Sequence, residues 1–147
     1  MKKLNSLNQS DIELAKIVLN SFNYSLVVVK EGRLLGKKRE RGIKPFLKVI
    51  NELGKNIENA TVGDRIVGRA IALLSLYVKI KEIYTPLVSQ KAIEVLKKEK
   101  IGIHADKIVP YIKNREGTGV CPFEKLLIRV NSPQKAFKLV KDKLGEL

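Results

Sequence analysis

The sequence predicts an α/β fold of three layers, α/β/α, built on a mixed sheet that starts with an N-terminal hairpin. Two strand-like segments separated by Glu31-Gly32 give the hairpin. After it, apolar strand-like runs alternate with segments of helical period, the pattern of a sheet covered by helices on both faces. At 147 residues, 44% hydrophobic and 30% charged, the chain has the size of one domain. It shows no linker, repeat or low-complexity segment, so residues 1–147 are read as one unit.

Ser10-Asp11-Ile12-Glu13 has the form of a capping box. The helix it opens carries Ile12, Ala15, Val18, Leu19 and Phe22 on one face. Residues 25–30 (Ser-Leu-Val-Val-Val-Lys) form a near-continuous apolar strand, and 33–38 return as the second arm of the hairpin. A basic loop, 38–44, leads to a helix with Phe46, Leu47, Val49, Ile50 and Leu53, stopped by Gly54 as a left-handed cap. Thr61-Val62-Gly63-Asp64 reads as a second capping box. It opens a helix apolar nearly all round, with Ile66, Val67, Ala70, Ile71, Leu73, Leu74 and Val78. Residues 82–89 form a strand and 90–100 a helix. Residues 101–109 are extended, and Pro110 confines them to an edge or an end. Cys121-Pro122 and Ser132-Pro133 open the last two helices.

Composition narrows the function. One cysteine excludes an internal disulfide, and one cysteine with one histidine excludes a four-ligand Cys/His zinc cage. No cofactor or metal is expected. The N-terminal residues hold no apolar run of signal-peptide type, and residues 66–78 are too short to span a bilayer. A cytoplasmic protein without a membrane partner is the expectation. Abundant lysine and glutamate, no tryptophan and only the initiator methionine resemble heat-adapted compositions.

The net charge of +14 is large for this length. Lys30, Arg33, Lys37, Lys38, Arg39, Arg41, Lys44 and Lys48 face only Glu31 and Glu40 locally. Such a cluster suits a polyanion, with Lys37, Lys38, Arg39 and Arg41 as nucleic-acid contacts. A solvated lysine-rich face is the alternative. Aromatic residues are 5% of the chain and do not interleave with the basic ones along the sequence.

The segment from Asn114 to Glu124, Asn-Arg-Glu-Gly-Thr-Gly-Val-Cys-Pro-Phe-Glu, concentrates the candidate chemistry. Pro122 suits the first helical position, Cys121 the N-cap, and Glu124 the third helical residue, from which a carboxylate reaches back to the cap. A helix start fed by a polar loop collects free N–H groups and a positive dipole end, suited to an anion. The same field favours Cys121 as a nucleophile, with Glu124 or Asp64 as proton carrier. A turn-to-helix junction with a structural cysteine is the alternative.

Several motifs together carry a resemblance. They are residues 25–33, Gly42-Ile43-Lys44-Pro45, the run Gly63-Asp64-Arg65-Ile66-Val67-Gly68-Arg69-Ala70, Val109-Pro110-Tyr111-Ile112, residues 114–119, and Cys121-Pro122-Phe123-Glu124. Over roughly residues 11 to 145 the chain resembles the uncharacterised family catalogued as domain of unknown function 1893. The resemblance implies a cytidine-deaminase-like fold without implying deamination. Zinc deaminases place a His or Cys ligand with a catalytic Glu on one helix and Pro-Cys-x-x-Cys on the next. The corresponding helix starts are expected at residues 64–69 and 87–91, which hold no histidine or cysteine. Zinc-dependent deamination is therefore disfavoured.

The fold would still bring those two helix starts to one pocket. With the 115–124 loop closed over it, Arg69, Arg115, Thr118 and the Cys121 helix start form a cationic cup, joined by Ser89, Asn114 and Gly119. Asp64 reads equally as a capping carboxylate and Arg69 as an ion-pair partner of Asp64 or Glu124, while His104 reads as a strand-end residue more readily than as a base. Three functions follow. The first is a pocket for a small anionic or nucleotide-like ligand. The second is a nucleic-acid module using residues 30–48. The third is a non-catalytic scaffold or regulator docking through its edge strand. The sequence leaves oligomeric state open.

Overall fold

The computed structural model describes residues 10–145; residues 1–9, which carry the signal-peptide reading, and 146–147 lie outside them. Helix α1 (Asp11–Ser21) opens as its capping box predicts, the Ser10 hydroxyl accepting from the Glu13 amide at 3.3 Å. Asp11 reaches further. Its carboxylate accepts from the amides of Glu31 and Gly32 at 2.9 and 2.8 Å. That fastens α1 to the turn between β1 (Leu26–Lys30) and β2 (Arg33–Lys38). Both turn residues have positive φ, 51° at Glu31 and 74° at Gly32, as a two-residue I′ turn requires. Arg65 fastens the other end of α1. Its guanidinium donates to the carbonyls of Tyr24 and Leu19 at 2.8 and 2.7 Å and to Asn20 Oδ1 at 2.9 Å.

The sheet is mixed. β1 pairs antiparallel with β2 and with β3 (Thr61–Asp64); β3 and β4 (Ile66–Val67) pair parallel with β5 (Glu82–Ser89), and β5 with β6 (Gly102–Val109). Thr61 lies opposite Glu82 and Ile66 opposite Leu87, so β3 and β4 are two halves of one strand in unbroken register across Arg65. β6 pairs only with β5 and is an edge, with Pro110 just beyond it, as expected.

Residues 61–68 differ from expectation. Thr61–Asp64 is a central strand and not a capping box, and α3 (Arg69–Tyr77) begins only after Gly68. Residues 61–64 are all buried, and a run without a polar face has no period by which to tell a strand from a helix. Thr61 and Val62 are β-branched, and the Thr61 hydroxyl donates to Glu82 of the neighbouring strand at 2.8 Å.

Helices α2 (Lys44–Leu53), α3 and α4 (Gln90–Lys98) cover one face of the sheet, over Leu26, Val28, Val62, Ile83 and Val88. Helix α1 covers the other, over Val27, Val29 and Tyr84. Helix α6 (Pro133–Leu144) runs along α3, with the Tyr77 and Phe137 rings stacked at 4.4 Å. Phe46 of α2 is among the largest fully enclosed side chains, and enclosure of one such ring contributes about 1.5–3 kcal/mol. α2 stops at Gly54 with a positive φ of 54°, but its ψ of −132° lies outside the left-handed helical well.

The pairing fixes a polarity. β2, the β3–β4 strand, β5 and β6 share one direction, so Lys38, Val67, Ser89 and Val109 end along one edge of the sheet. The starts of α2, α3 and α4 follow directly from that carboxyl edge.

Candidate functional site

The loop after β6 folds back over the carboxyl edge. Lys113 and Val120 form an antiparallel bridge, and the Cys121 amide donates to the Ile112 carbonyl at 2.9 Å. Within it the Thr118 amide donates to Asn114 Oδ1 at 3.0 Å, and Asn114 Nδ2 donates to the Thr118 hydroxyl at 3.2 Å. The Asn114 amide donates to the Gly119 carbonyl at 2.8 Å. Asn114, Thr118 and Gly119 are thus brought together, holding one another. Arg115 is exposed at the tip, and its guanidinium packs against Gly42: a Cβ built there would lie 3.7 Å from Arg115 Nη2. The loop therefore meets the basic segment before α2, where Arg41 is exposed and Lys44 partly so.

The start of α2 differs from its neighbours. Ile43 is its N-cap, with no side-chain hydrogen bond and no acidic residue in the first turn. The start of α4 is capped by Ser89, which is fully buried and accepts from the Ala92 amide at 3.1 Å. The start of α3 is filled by Glu124, which accepts from the amides of Arg69 and Ala70 at 2.8 and 3.0 Å. Glu124 therefore caps a neighbouring helix and does not reach back to Cys121, which has no side-chain cap hydrogen bond in the five-residue helix α5 (Pro122–Leu126). The carboxylate lies so close that a Cβ at Gly68 would come within 2.6 Å of it.

Arg69 makes neither expected ion pair. Its guanidinium donates to the carbonyls of Leu127 and Val130 at 3.0 and 2.6 Å and to Asn131 Oδ1 at 2.8 Å. The α5–α6 connection offers free carbonyls at closer reach than any carboxylate. The expected cup is accordingly split: Arg69, Ser89 and Glu124 are engaged in holding helices, whereas Arg115 joins the cations near α2.

Asp64 ends β3 and is 8% exposed. Burial pushes its carboxyl up to about 8, against the opposing pull of the Arg65 and Ile66 amides that face it. At neutral pH it is a neutral acid and puts no negative charge on this edge.

The basic residues of the loop divide. Lys38 is paired with Glu52 at 2.6 Å and Lys48 with Glu40 at 2.7 Å. The Lys48 hydrogen bond holds the Glu40 carboxyl below its usual range. Arg39 instead lies over the Tyr24 ring, 4.3 Å from its centroid, and donates to the Phe22 carbonyl at 3.1 Å. Lys37 approaches the same ring at 5.7 Å. Aromatic and basic residues far apart in the sequence thus interleave in space. Linear spacing could not reveal this, because the β1–β2 hairpin makes the contact.

The two segments expected to hold zinc, residues 64–69 and 87–91, run from the end of β3 into the start of α3 and from the end of β5 into the start of α4. Neither segment carries a histidine or cysteine; the first already holds Glu124 and the second is capped by Ser89. No group of three or more His, Cys, Asp or Glu able to hold a metal occurs among the described residues. The donors present do not fit zinc.

A groove of about 450 Å³ lies elsewhere, between α1 and β6, lined by Ile12, Glu13, Lys16, Tyr84, His104 and Asp106 among others. Several of its polar groups pair with one another or with their neighbours. Tyr84 donates to Asp106 at 2.6 Å, and His104 lies 3.8 Å from Glu82. Of the residues weighed for chemistry, only His104 lines it. No helix among the described residues is long and apolar enough to cross a membrane.

A DUF1893 family protein from Thermotoga maritima has a similar structure, with a TM-score of 0.85 at 23% identity over 97% of this chain and 96% of that one. Two structures of RibD from Acinetobacter baumannii match 57% of this chain and 28% of theirs, with TM-scores of 0.47 and 0.43 at 16% and 19% identity. No curated protein matches. The family model described as TM1506, domain of unknown function (DUF1893), matches residues 14–144. The chain belongs to the DUF1893 family.

Proposed function

We propose that the carboxyl edge of the sheet binds a small phosphate-bearing, nucleotide-like ligand, and that it does so without zinc chemistry. The observation that carries this is the packing of the Asn114–Gly119 loop on Gly42, which sets Arg115 beside the uncapped start of α2. Arg115 then joins exposed Arg41 and the first-turn Lys44 in a cationic patch at a helix start whose own first turn holds no acidic residue, the neighbouring Glu40 being paired with Lys48. Arginine suits a phosphate because its planar fork donates two parallel hydrogen bonds. The neutral Asp64 supports the same reading, since it adds no repulsion. Arg69 and Ser89, both engaged elsewhere, fall outside the proposed ligand set.

The role is binding more than turnover. Among the described residues no side chain hydrogen-bonds the Cys121 thiol, so a nucleophile at that position has no adjacent base. Glu124 is occupied by two amides and is not free to carry a proton. Thermal unfolding of nucleic-acid-free protein with nucleosides, nucleoside monophosphates, sugar phosphates and inorganic phosphate tests the proposal. A ligand at a hundred times its dissociation constant adds roughly 2.7 kcal/mol. The phosphorylated members are expected to stabilise the parent and not Arg115→Ala. Equal stabilisation of both proteins would remove this site.

A further inference from the structure

Phe22, which ends α1, leaves 57% of its surface exposed. Asn23 follows at a φ of 56° and turns the chain, so that the Tyr24 ring lies 6.2 Å from the Phe22 ring. Arg39 covers Tyr24 and donates from Nη2 to the Phe22 carbonyl, while Lys37 stands on the same ring. Tyr24 itself is 8% exposed, so Phe22 is the open face of this pair. Its cations are held by a ring and a carbonyl, and are not neutralised by carboxylates as Lys38 and Lys48 are. The Ser25 amide and hydroxyl donate to the Lys38 carbonyl at 2.8 and 3.0 Å, which places Phe22 and Tyr24 at the carboxyl edge where Arg41 and Arg115 lie.

An open ring rimmed by cations matches one polyanion better than others. Single-stranded nucleic acid presents base faces that stack on aromatic side chains and phosphates that pair with Lys and Arg, whereas a duplex hides its bases. The chain's net charge of +14 disfavours a second copy of itself on this surface. We infer that the carboxyl edge binds single-stranded nucleic acid, with Phe22 stacking on a base and Lys37, Arg39, Arg41 and Arg115 taking phosphates. The inference rests on the phosphate-binding reading of the same edge and names the polymer that reaches it.

Fluorescence anisotropy of the full chain with a labelled oligouridylate of about ten nucleotides is the test. Affinity should fall steeply with salt. Phe22→Ala should weaken binding by about tenfold with the salt slope unchanged, and Phe22→Tyr should retain it. Lys37→Ala and Arg41→Ala should each flatten the slope by about 0.7. Because Phe22 is exposed, the unfolding midpoint of Phe22→Ala should match the parent and exclude misfolding as the cause. Absent binding, equal binding by Phe22→Ala, or equal competition by duplex RNA would each overturn the inference. If nucleoside monophosphates stabilise the protein through Arg115 while no oligonucleotide binds, this inference fails and the proposed function stands. If neither binds, both fail. Self-association abolished by Phe22→Ala, without oligonucleotide binding, would assign the surface to a protein contact and overturn it as well.

Discussion

Asp64 shows how one buried side chain sets a pH dependence for the whole fold. Its carboxyl is raised from 3.8 to about 8 by burial, so the native state keeps a proton that the unfolded chain has released. Stability from this group is therefore complete below the unfolded value and is lost as pH rises from about 4 towards 8. Each unit corresponds to about 1.4 kcal/mol, which amounts to several kcal/mol across the window. Asp64→Asn keeps an acceptor for the Arg65 and Ile66 amides without the charge. Urea unfolding at about pH 5 and about pH 8 should show the parent losing stability relative to Asp64→Asn. Parallel profiles for the two proteins would contradict this assignment.

Glu124 and Gly68 form a second residue-scale device. Glu124→Ala leaves two α3 amides without their acceptor and should cost about 2 kcal/mol in urea unfolding, whereas Glu124→Gln should cost less. Gly68→Ala forces a methyl against that carboxylate and should also destabilise. Because both effects act on one contact, the double variant Gly68→Ala/Glu124→Ala should lose less than the sum of the two. Strict additivity would show that the carboxylate does not sit there.

At the scale of elements, α1 is clamped at both ends, at its start by its own Asp11 on the hairpin turn and at its end by Arg65 on the Leu19 carbonyl and on the Tyr24 carbonyl just beyond the helix. Arg65→Ala should loosen α1 in particular. Amide exchange within residues 14–21 should accelerate by more than that of the central strands β3 and β5. Uniform acceleration would mean that Arg65 acts on global stability alone. Features written in local chemistry were legible beforehand. Ser10 and Ser132 each accept from the amide three residues on, and Glu31-Gly32 makes the hairpin turn, whereas Ser89, expected at a ligand, caps α4 in the same way. Residues 61–64 were not, because burial of every one of them erases the polar face from which a period is read. The destinations of Arg69 and Glu124 were also hidden. Both choose partners more than 50 residues away in the sequence, and only the docked α5–α6 segment shows which backbone groups lie nearest.

Across the whole molecule, charge and topology coincide at one place. The shared direction of four strand positions collects the starts of α2, α3 and α4 on one edge, and the loop after β6 returns there. Two of the three helix starts are closed by the protein's own side chains, Ser89 and Glu124, which leaves α2 beside Arg41, Lys44 and Arg115. Sequence reading set the Arg115 loop and the basic 38–44 segment in rival functions, and the fold makes them neighbours. The candidate Cys121 lies at the end of this returning loop, in a short helix without a neighbouring base.

Amide chemical-shift mapping of the full chain with a nucleoside monophosphate tests the central claim most directly, because it locates the ligand residue by residue. Perturbations concentrated at residues 41–44 and 114–119, lost in Arg115→Ala, are the predicted result. Perturbations confined to the α1–β6 groove, at Lys16, His104 and Asp106, or none at all, would contradict it.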